Sequence, residues 1–208
     1  MLVEGLQTKT TEGPHNAGPL TSLMKKEIIM GEKKASLDHG FDIAAIRAAA
    51  ANLDDGAVTE GYQADREAVI DMLNGALATE LVCVLRYKRH YFTVSGRGNG
   101  QVKAEFLEHA TQEQEHADWL AERIVQLNGM PNFNPATLTA RSHAEYDDSD
   151  DVNAMIRANL IAERVAIESY RQMIVAIGDK DPTTRNLLIE IMAVEEEHAD
   201  DMRDLLPK

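Results

Sequence analysis

Four long segments with helical patterning, each bounded by its own start and stop residues, leave this chain of 208 residues little freedom of architecture. The first runs from about Asp65 to Val94 and ends at Gly96, in a Gly-Arg-Gly-Asn-Gly loop. The second runs from about Gln101 to Asn128, with Gly129 and Pro131 as stop signals. The third opens near Ser149-Asp150-Asp151, acids suited to a helix N-terminus, and ends before Gly178. The fourth opens on Asp181-Pro182, a capping acid followed by proline at the first helical position, and continues to about Leu206. Val, Ile and Thr are too scattered, and the segments too long, for strands. About five residues join the first segment to the second and the third to the fourth, so each pair predicts an antiparallel hairpin. About 20 residues, Gly129 to Asp148, join the hairpins; at about 3.3 Å per extended residue they can travel the length of a roughly 40 Å helix. The predicted fold class is all-α, a four-helix bundle of two antiparallel hairpins with one long crossover.

Ahead of the bundle, residues 1 to about 35 hold Gly13-Pro14, Gly18-Pro19 and scattered lysines, and read as an extended, near-neutral arm. From Asp42 the spacing of Ile43, Ile46, Ala50 and Leu53 predicts a short helix that stops at Asp54-Asp55-Gly56. The expected division is therefore an arm with a short helix over 1–60 and the bundle over 61–208. Against 21 basic residues stand 35 acidic ones, a net charge of −14. Such a surface repels phosphate backbones and anionic lipid and concentrates cations, which argues against DNA binding by bulk charge and favours metal ions as partners. The single cysteine, Cys83, permits no intrachain disulfide and no cysteine-only metal site, and fits a reducing compartment. No stretch is expected to supply the roughly 20 apolar residues that span a bilayer, and residues 1–18 lack a positive region followed by an apolar core. The expectation is a cytoplasmic protein without a membrane partner.

The two predicted hairpins repeat each other. The second segment contains Glu113-Gln114-Glu115-His116-Ala117-Asp118 and the fourth Glu195-Glu196-Glu197-His198-Ala199-Asp200, both Glu-x-x-His followed by Ala-Asp. Glu80 stands 33 positions before Glu113, Glu163 stands 32 before Glu195, and seven residues after each partner comes a tyrosine, Tyr87 or Tyr170. Counted from the proposed boundaries, Glu80 lies 15 residues after Asp65, Glu113 lies 15 before Asn128, Glu163 lies 13 after Asp150 and Glu195 lies 13 after Pro182. All four fall near mid-helix and can meet at one level. Residues three apart share a helix face, which sets His116 beside Glu113 and His198 beside Glu195. Leu77, Cys83, Val84 and Tyr87 neighbour Glu80 on its face, and Ala166, Ile167 and Tyr170 neighbour Glu163, so these glutamates are predicted to point inward. One Glu-x-x-His alone means little: Glu12-Gly-Pro-His15 matches it where Gly and Pro oppose a helix. Two, each with a placed glutamate and tyrosine, mean much more.

Four carboxylates buried together repel and are forced to take up protons unless cations neutralise them. Two divalent ions balance four carboxylates, and one nitrogen from each histidine gives a mixed oxygen and nitrogen shell that suits iron or manganese. Tyr87 and Tyr170 are expected to hydrogen-bond the ligand carboxylates; the alternative is a pair of core tyrosines with satisfied hydroxyls. Cys83 reads as a small core residue. Asp147, Asp148, Asp150 and Asp151 read as a helix N-terminus, and Glu115, Glu197, Asp118 and Asp200 as solvated or subunit-contact faces. The glycine-rich loop at 96–100 lacks the strand and lysine of a phosphate-binding loop and reads as a turn.

These motifs resemble the bacterioferritin branch of the ferritin-like superfamily. The resemblance is carried by Ala-Thr-Glu80-Leu-Val with Tyr87, Glu113-x-x-His116-Ala-Asp, Leu127-Asn-Gly-Met-Pro-Asn132, Ala162-Glu163 and Glu195-x-x-His198, over about residues 65–206. One Glu from each of two helices with Glu-x-x-His from the other two is the ligand set known for ferritin-like di-iron and di-manganese proteins. The resemblance implies a ferroxidase centre that binds two Fe(II) through Glu80, Glu113, His116, Glu163, Glu195 and His198. It implies oxidation by dioxygen or hydrogen peroxide and delivery of Fe(III) to a mineral inside a protein shell. Bacterioferritins bind haem through a methionine inside the second-helix motif; here that stretch is Glu113-Gln-Glu-His116, and no haem is expected. They also carry a fifth short helix, for which the ten residues after His198 leave no room. The arm and the missing helix look more like the Dps-like cages of 12 subunits, without the paired cysteines of their thioferritin type. Two other readings stay open: a peroxide-reducing enzyme, rubrerythrin-like or a manganese catalase, and a DNA-protecting structural protein, against which the near-neutral arm argues.

Overall fold

A computed structural model describes residues 40–207. The chain divides into two units at Ile46/Arg47, and the expected arm over 1–35 lies outside the described residues. Helix α1 (Ile43–Ala49) straddles that division. Asp42 caps it, Oδ1 accepting the Ala45 N–H at 3.0 Å, and none of its side chains is buried. It ends at Ala49, short of the expected stop at Asp54, because a helix this short with no buried face has nothing to pay for its nucleation.

The second unit holds α2 (Arg66–Thr93), α3 (Gly100–Gln126), a 3-10 turn (Pro135–Thr137), α4 (Leu138–Arg141), α5 (Val152–Ile177) and α6 (Pro182–Asp204); no strand occurs among the described residues. The capping acids act as their positions predict. Asp65, Asp151 and Asp181 accept the backbone N–H three residues on, at 3.2, 2.9 and 2.9 Å. Of the four aspartates read as one helix N-terminus, only Asp151 caps α5; Asp150 meets Arg89 at 2.8 Å and Asp147 meets His90 at 3.2 Å. Between α2 and α3, Gly96 and Gly98 take positive φ, which makes the glycine-rich loop a turn. After α3 the positive φ falls on Asn128, not on Gly129. Gly129 is needed for another reason: a Cβ there would come within 2.9 Å of the Ile70 side chain.

α2 packs on α3 and α5 on α6, and the hairpins join through α2 against α5 and α3 against α6. The crossover is not extended throughout. It coils into the 3-10 turn and α4, where Leu138 packs on Ala78 and Val82 of α2, and Arg141 donates to the carbonyls of Asn74 and Asn132 at 3.1 and 2.9 Å. One sequence expectation fails on α2: by length and composition this helix is apolar enough to cross a membrane. Its apolarity has a local cause, since α3, α5 and the crossover all pack against it. Of the apolar clusters among the described residues, the two with the most members lie around Leu73, Ile124 and Leu188 and around Phe106, Met155 and Met202. The repeated motifs lie between them.

Candidate metal centre

Glu80, Glu113, His116, Glu163, Glu195 and His198 each come from mid-helix and are all buried, at most 1% exposed. They meet as two overlapping groups, Glu80–Glu113–His116–Glu195 and Glu113–Glu163–Glu195–His198. Nδ1 of His116 faces Glu195 Oε1 at 2.9 Å, Glu113 Oε2 at 3.3 Å and Glu80 Oε2 at 3.5 Å. Nδ1 of His198 faces Glu195 Oε2 at 3.3 Å, Glu113 Oε1 at 3.8 Å and Glu163 Oε2 at 3.9 Å. Glu113 and Glu195 therefore give one oxygen to each histidine, whereas Glu80 serves only His116 and Glu163 only His198. The sequence left open which glutamates bridge; this geometry makes Glu113 and Glu195 the shared pair and Glu80 and Glu163 the outer ones. The tyrosines cross between hairpins: Tyr170 on α5 donates to Glu80 Oε1, and Tyr87 on α2 donates to Glu163 Oε1. Each outer glutamate thus has one oxygen held by a phenol and the other turned to the centre.

Buried polar atoms in folded proteins almost always have partners. Here Glu80 Oε2, Glu113 Oε1, Glu163 Oε2, both Glu195 oxygens and His198 Nδ1 make no well-aligned hydrogen bond, although Glu195 Oε1 stands 2.9 Å from His116 Nδ1. Such a concentration of orphaned oxygens around two imidazoles fits two hard or borderline divalent cations. Without cations, protons take their part. Burial and the neighbouring Glu195, Glu163 and Glu80 push Glu113 well above the usual carboxylate range, and burial with Glu80 lifts Glu195 to about 7. Burial opposes charge on the imidazoles, but Glu195 and Glu80 carry His116 up to about 9, and Glu163 and Glu195 carry His198 up to about 10. Burial likewise opposes charge on Glu163, yet His198 holds its carboxyl below the usual range. Burial keeps both phenols protonated and therefore donors, helped by Glu163 at Tyr87 and Glu80 at Tyr170.

Residues 70–208 match the family model of the ferritin-like domain. The chain belongs to the ferritin-like family. The bacterioferritin of Brucella melitensis is 32% identical over 145 residues, covering 67% of this chain and 85% of that protein. The DNA protection during starvation protein of Halobacterium salinarum is 32% identical over 112 residues, 52% of this chain and only 62% of that relative's length. Among solved structures, the dodecameric thioferritin of Bacteroides fragilis, a bacterioferritin-related protein, superposes with a TM-score of 0.65 at 33% identity, covering 67% of this chain and 84% of that one.

The cluster of six Glu and His residues has neighbours that the motifs did not reveal. His109 on α3 is 1% exposed; its ring stacks on that of His198 with centroids 3.9 Å apart, and its Nδ1 lies 3.1 Å from the Tyr87 hydroxyl. The signal was present, since His109 precedes His116 by seven residues and so shares its face. Gln112 reaches Nε2 of His198 at 2.9 Å, and the Trp119 ring lies 5.5 Å from that of His116. Beside them Arg86, fully buried, donates to Asn159 Oδ1 at 2.8 Å, to the Glu145 carbonyl at 3.1 Å and to Cys83 Sγ at 3.3 Å. Cys83 is a core residue as expected, its thiol kept protonated by burial. Glu115, Glu197, Asp118 and Asp200 are exposed.

Proposed function

We propose that this chain is a ferroxidase that binds two Fe(II), oxidises them with dioxygen or hydrogen peroxide, and holds the Fe(III) product within a homo-oligomeric cage of 12 subunits. The observation that carries the reading is the pair of carboxylates, Glu113 and Glu195, each giving one oxygen to each of two buried histidine-centred groups. Two ions held through shared carboxylates sit close enough to give up electrons to one oxidant. Glu80 with His116 would complete one ion's shell and Glu163 with His198 the other's. Tyr87 and Tyr170 fix the outer carboxylates by one oxygen each and leave the second free for metal. The cage reading is supported by the dodecameric neighbour, whose length this chain mostly spans. The net charge of −14 speaks against direct DNA binding, although one relative is named for DNA protection.

The test is anaerobic Fe(II) loading of metal-free full-length protein, then split addition of dioxygen or peroxide, while ferric absorbance and particle mass are recorded. Two Fe(II) per chain oxidised fast, with further iron retained in a large particle, is the expected outcome. Oxidant consumed with no iron retained would move the chain to the peroxide-reducing enzymes. Glu113→Ala and Glu195→Ala should each abolish rapid oxidation while helicity is kept; oxidation at the parent rate in both would sink the assignment of this site.

A further inference from the structure

A buried pair of cations needs a way in, and the six residues of the centre are at most 1% exposed. One cluster leads from the surface to them. His109 points Nε2 at Asp201 Oδ2, 3.5 Å away, and at Glu105 Oε2, 3.9 Å away. Exposure falls along the cluster, from 47% for the Asp201 side chain through 25% for Glu105 to 2% for His109. One ligand atom from each of the three lies within 4.8 Å of the other two. These separations are longer than ordinary hydrogen bonds, but bonds of about 2.1 Å to one cation give ligand–ligand edges of about 3–3.5 Å. The same imidazole also belongs to an inner group with Glu163 and His198.

The opposite end of the bundle supplies an internal control. In the repeat that relates α3 to α6, Glu113 corresponds to Glu195, 82 positions on. At that offset Glu105 corresponds to Leu187, His109 to Ile191 and Asp201 to Trp119. Every member of the cluster is apolar in its counterpart, and Ile191 is wholly buried in the core. The three polar residues are thus not something the ligand set requires of both ends.

We propose that Glu105, His109 and Asp201 form a third divalent-cation site, an outer station from which Fe(II) passes to the buried pair as His109 exchanges Glu105 and Asp201 for Glu163 and His198. The proposal rests on the reading of the centre as a two-cation site. The step moves a cation between ligand sets and transfers no electrons.

Anaerobic Co(II) added to the metal-free full-length chain tests both parts, with bound ions counted by equilibrium dialysis and loading of the pair followed by visible absorbance. The parent should bind three Co(II) per chain. Glu105→Gln/Asp201→Asn should bind two and load the pair slower by about tenfold or more, the scale of an electrostatic approach. Glu122→Gln/Glu190→Gln, which removes two exposed charges at the opposite end, should load at the parent rate. Two ions in parent and double variant alike, an unchanged loading rate, or equal slowing in the opposite-end control each overturns the station while leaving the pair in place. Fewer than two ions in the parent overturns the pair, and the station with it.

Discussion

The two ends of the bundle share the repeated Glu and Glu-x-x-His pattern and differ in the side chains that border it. Beyond Tyr87 lies a polar end, with Arg86, His90, Asn159, His109, Glu105 and Asp201 around the cluster of Phe106 and Met155. In the repeat these residues correspond to Ser169, Met173, Ala76, Ile191, Leu187 and Trp119. Met173, Ala76 and Ile191 are buried and belong to the apolar cluster of Leu73, Ile124 and Leu188, against which Leu187 also packs. The six buried Glu and His residues and the two tyrosines keep the symmetry, as a centre for two equivalent cations would require. Nothing requires it of the ends: next to the centre the core is apolar at one end, where the largely buried Arg123–Asp181 ion pair (3.0 Å) sits at the helix termini, and polar at the other, where ordered charge borders a centre proposed to exchange ions.

If the apolar end carries stability, cavities there should cost most. Leu73→Ala, at a fully buried position, should lower the unfolding free energy by about 2–5 kcal/mol, read as a shift in denaturant midpoint at constant slope. Ile191→His places an imidazole at the position that mirrors His109, but among leucines and without a partner, and should cost about 1–3 kcal/mol. Were Ile191→His tolerated without loss, the asymmetry of the ends would not be one of stability.

Metal-free and metal-loaded protein should differ in their response to pH, because the histidines at the junction of the two ends hold protons only while cations are absent. His116 and His198 rise in the folded chain to about 9 and about 10, against about 6.5 unfolded. The folded state therefore binds more protons than the unfolded state between those values, and stability falls as pH rises through this window. The contribution is complete below about pH 6.5 and lost by about pH 10. Melting temperatures of metal-free protein should drop across that range. Protein loaded with Co(II) should not follow, since a coordinated nitrogen cannot hold the proton; parallel curves would show that the histidines do not bind the ions.

Much of this could be read from residue spacing. Asp65, Asp151 and Asp181 mark helix starts through local chemistry, and a Glu-x-x-His pair on one helix face needs no tertiary information. The level of the four glutamates followed from counting because straight helices convert residue number into height. What was missed depends on contacts between helices. Arg86 and Asn159 are 73 residues apart and signal nothing until α2 meets α5. The sharing of Glu113 and Glu195 between the two histidine-centred groups depends on which way carboxylates from different helices turn. His109 was legible by its spacing from His116 but lacked a second motif to mark it, since its counterpart is Ile191. The apolar span of α2 was underestimated because burial on several sides removes the polar stripe that a surface helix shows.

The finest contrast between the ends lies in the two tyrosines. Each donates to an outer glutamate of the other hairpin, but among the described residues the Tyr170 hydroxyl pairs with Glu80 alone, whereas that of Tyr87 also lies 3.1 Å from His109 Nδ1. Tyr170→Phe removes one hydrogen bond and leaves Glu80 Oε1 without its donor. Tyr87→Phe does the same to Glu163 and also frees the His109 ring, the group that joins the polar end to the centre. Both changes keep the ring and its packing, so each should alter stability by about 1–2 kcal/mol. Their effects on cation uptake should diverge: Tyr87→Phe should slow Co(II) loading by a few-fold more than Tyr170→Phe, because it alone disturbs the orientation of His109. Equal slowing in the two variants would mean that the tyrosines act only on their glutamates and that His109 is positioned by its stacking on His198 alone.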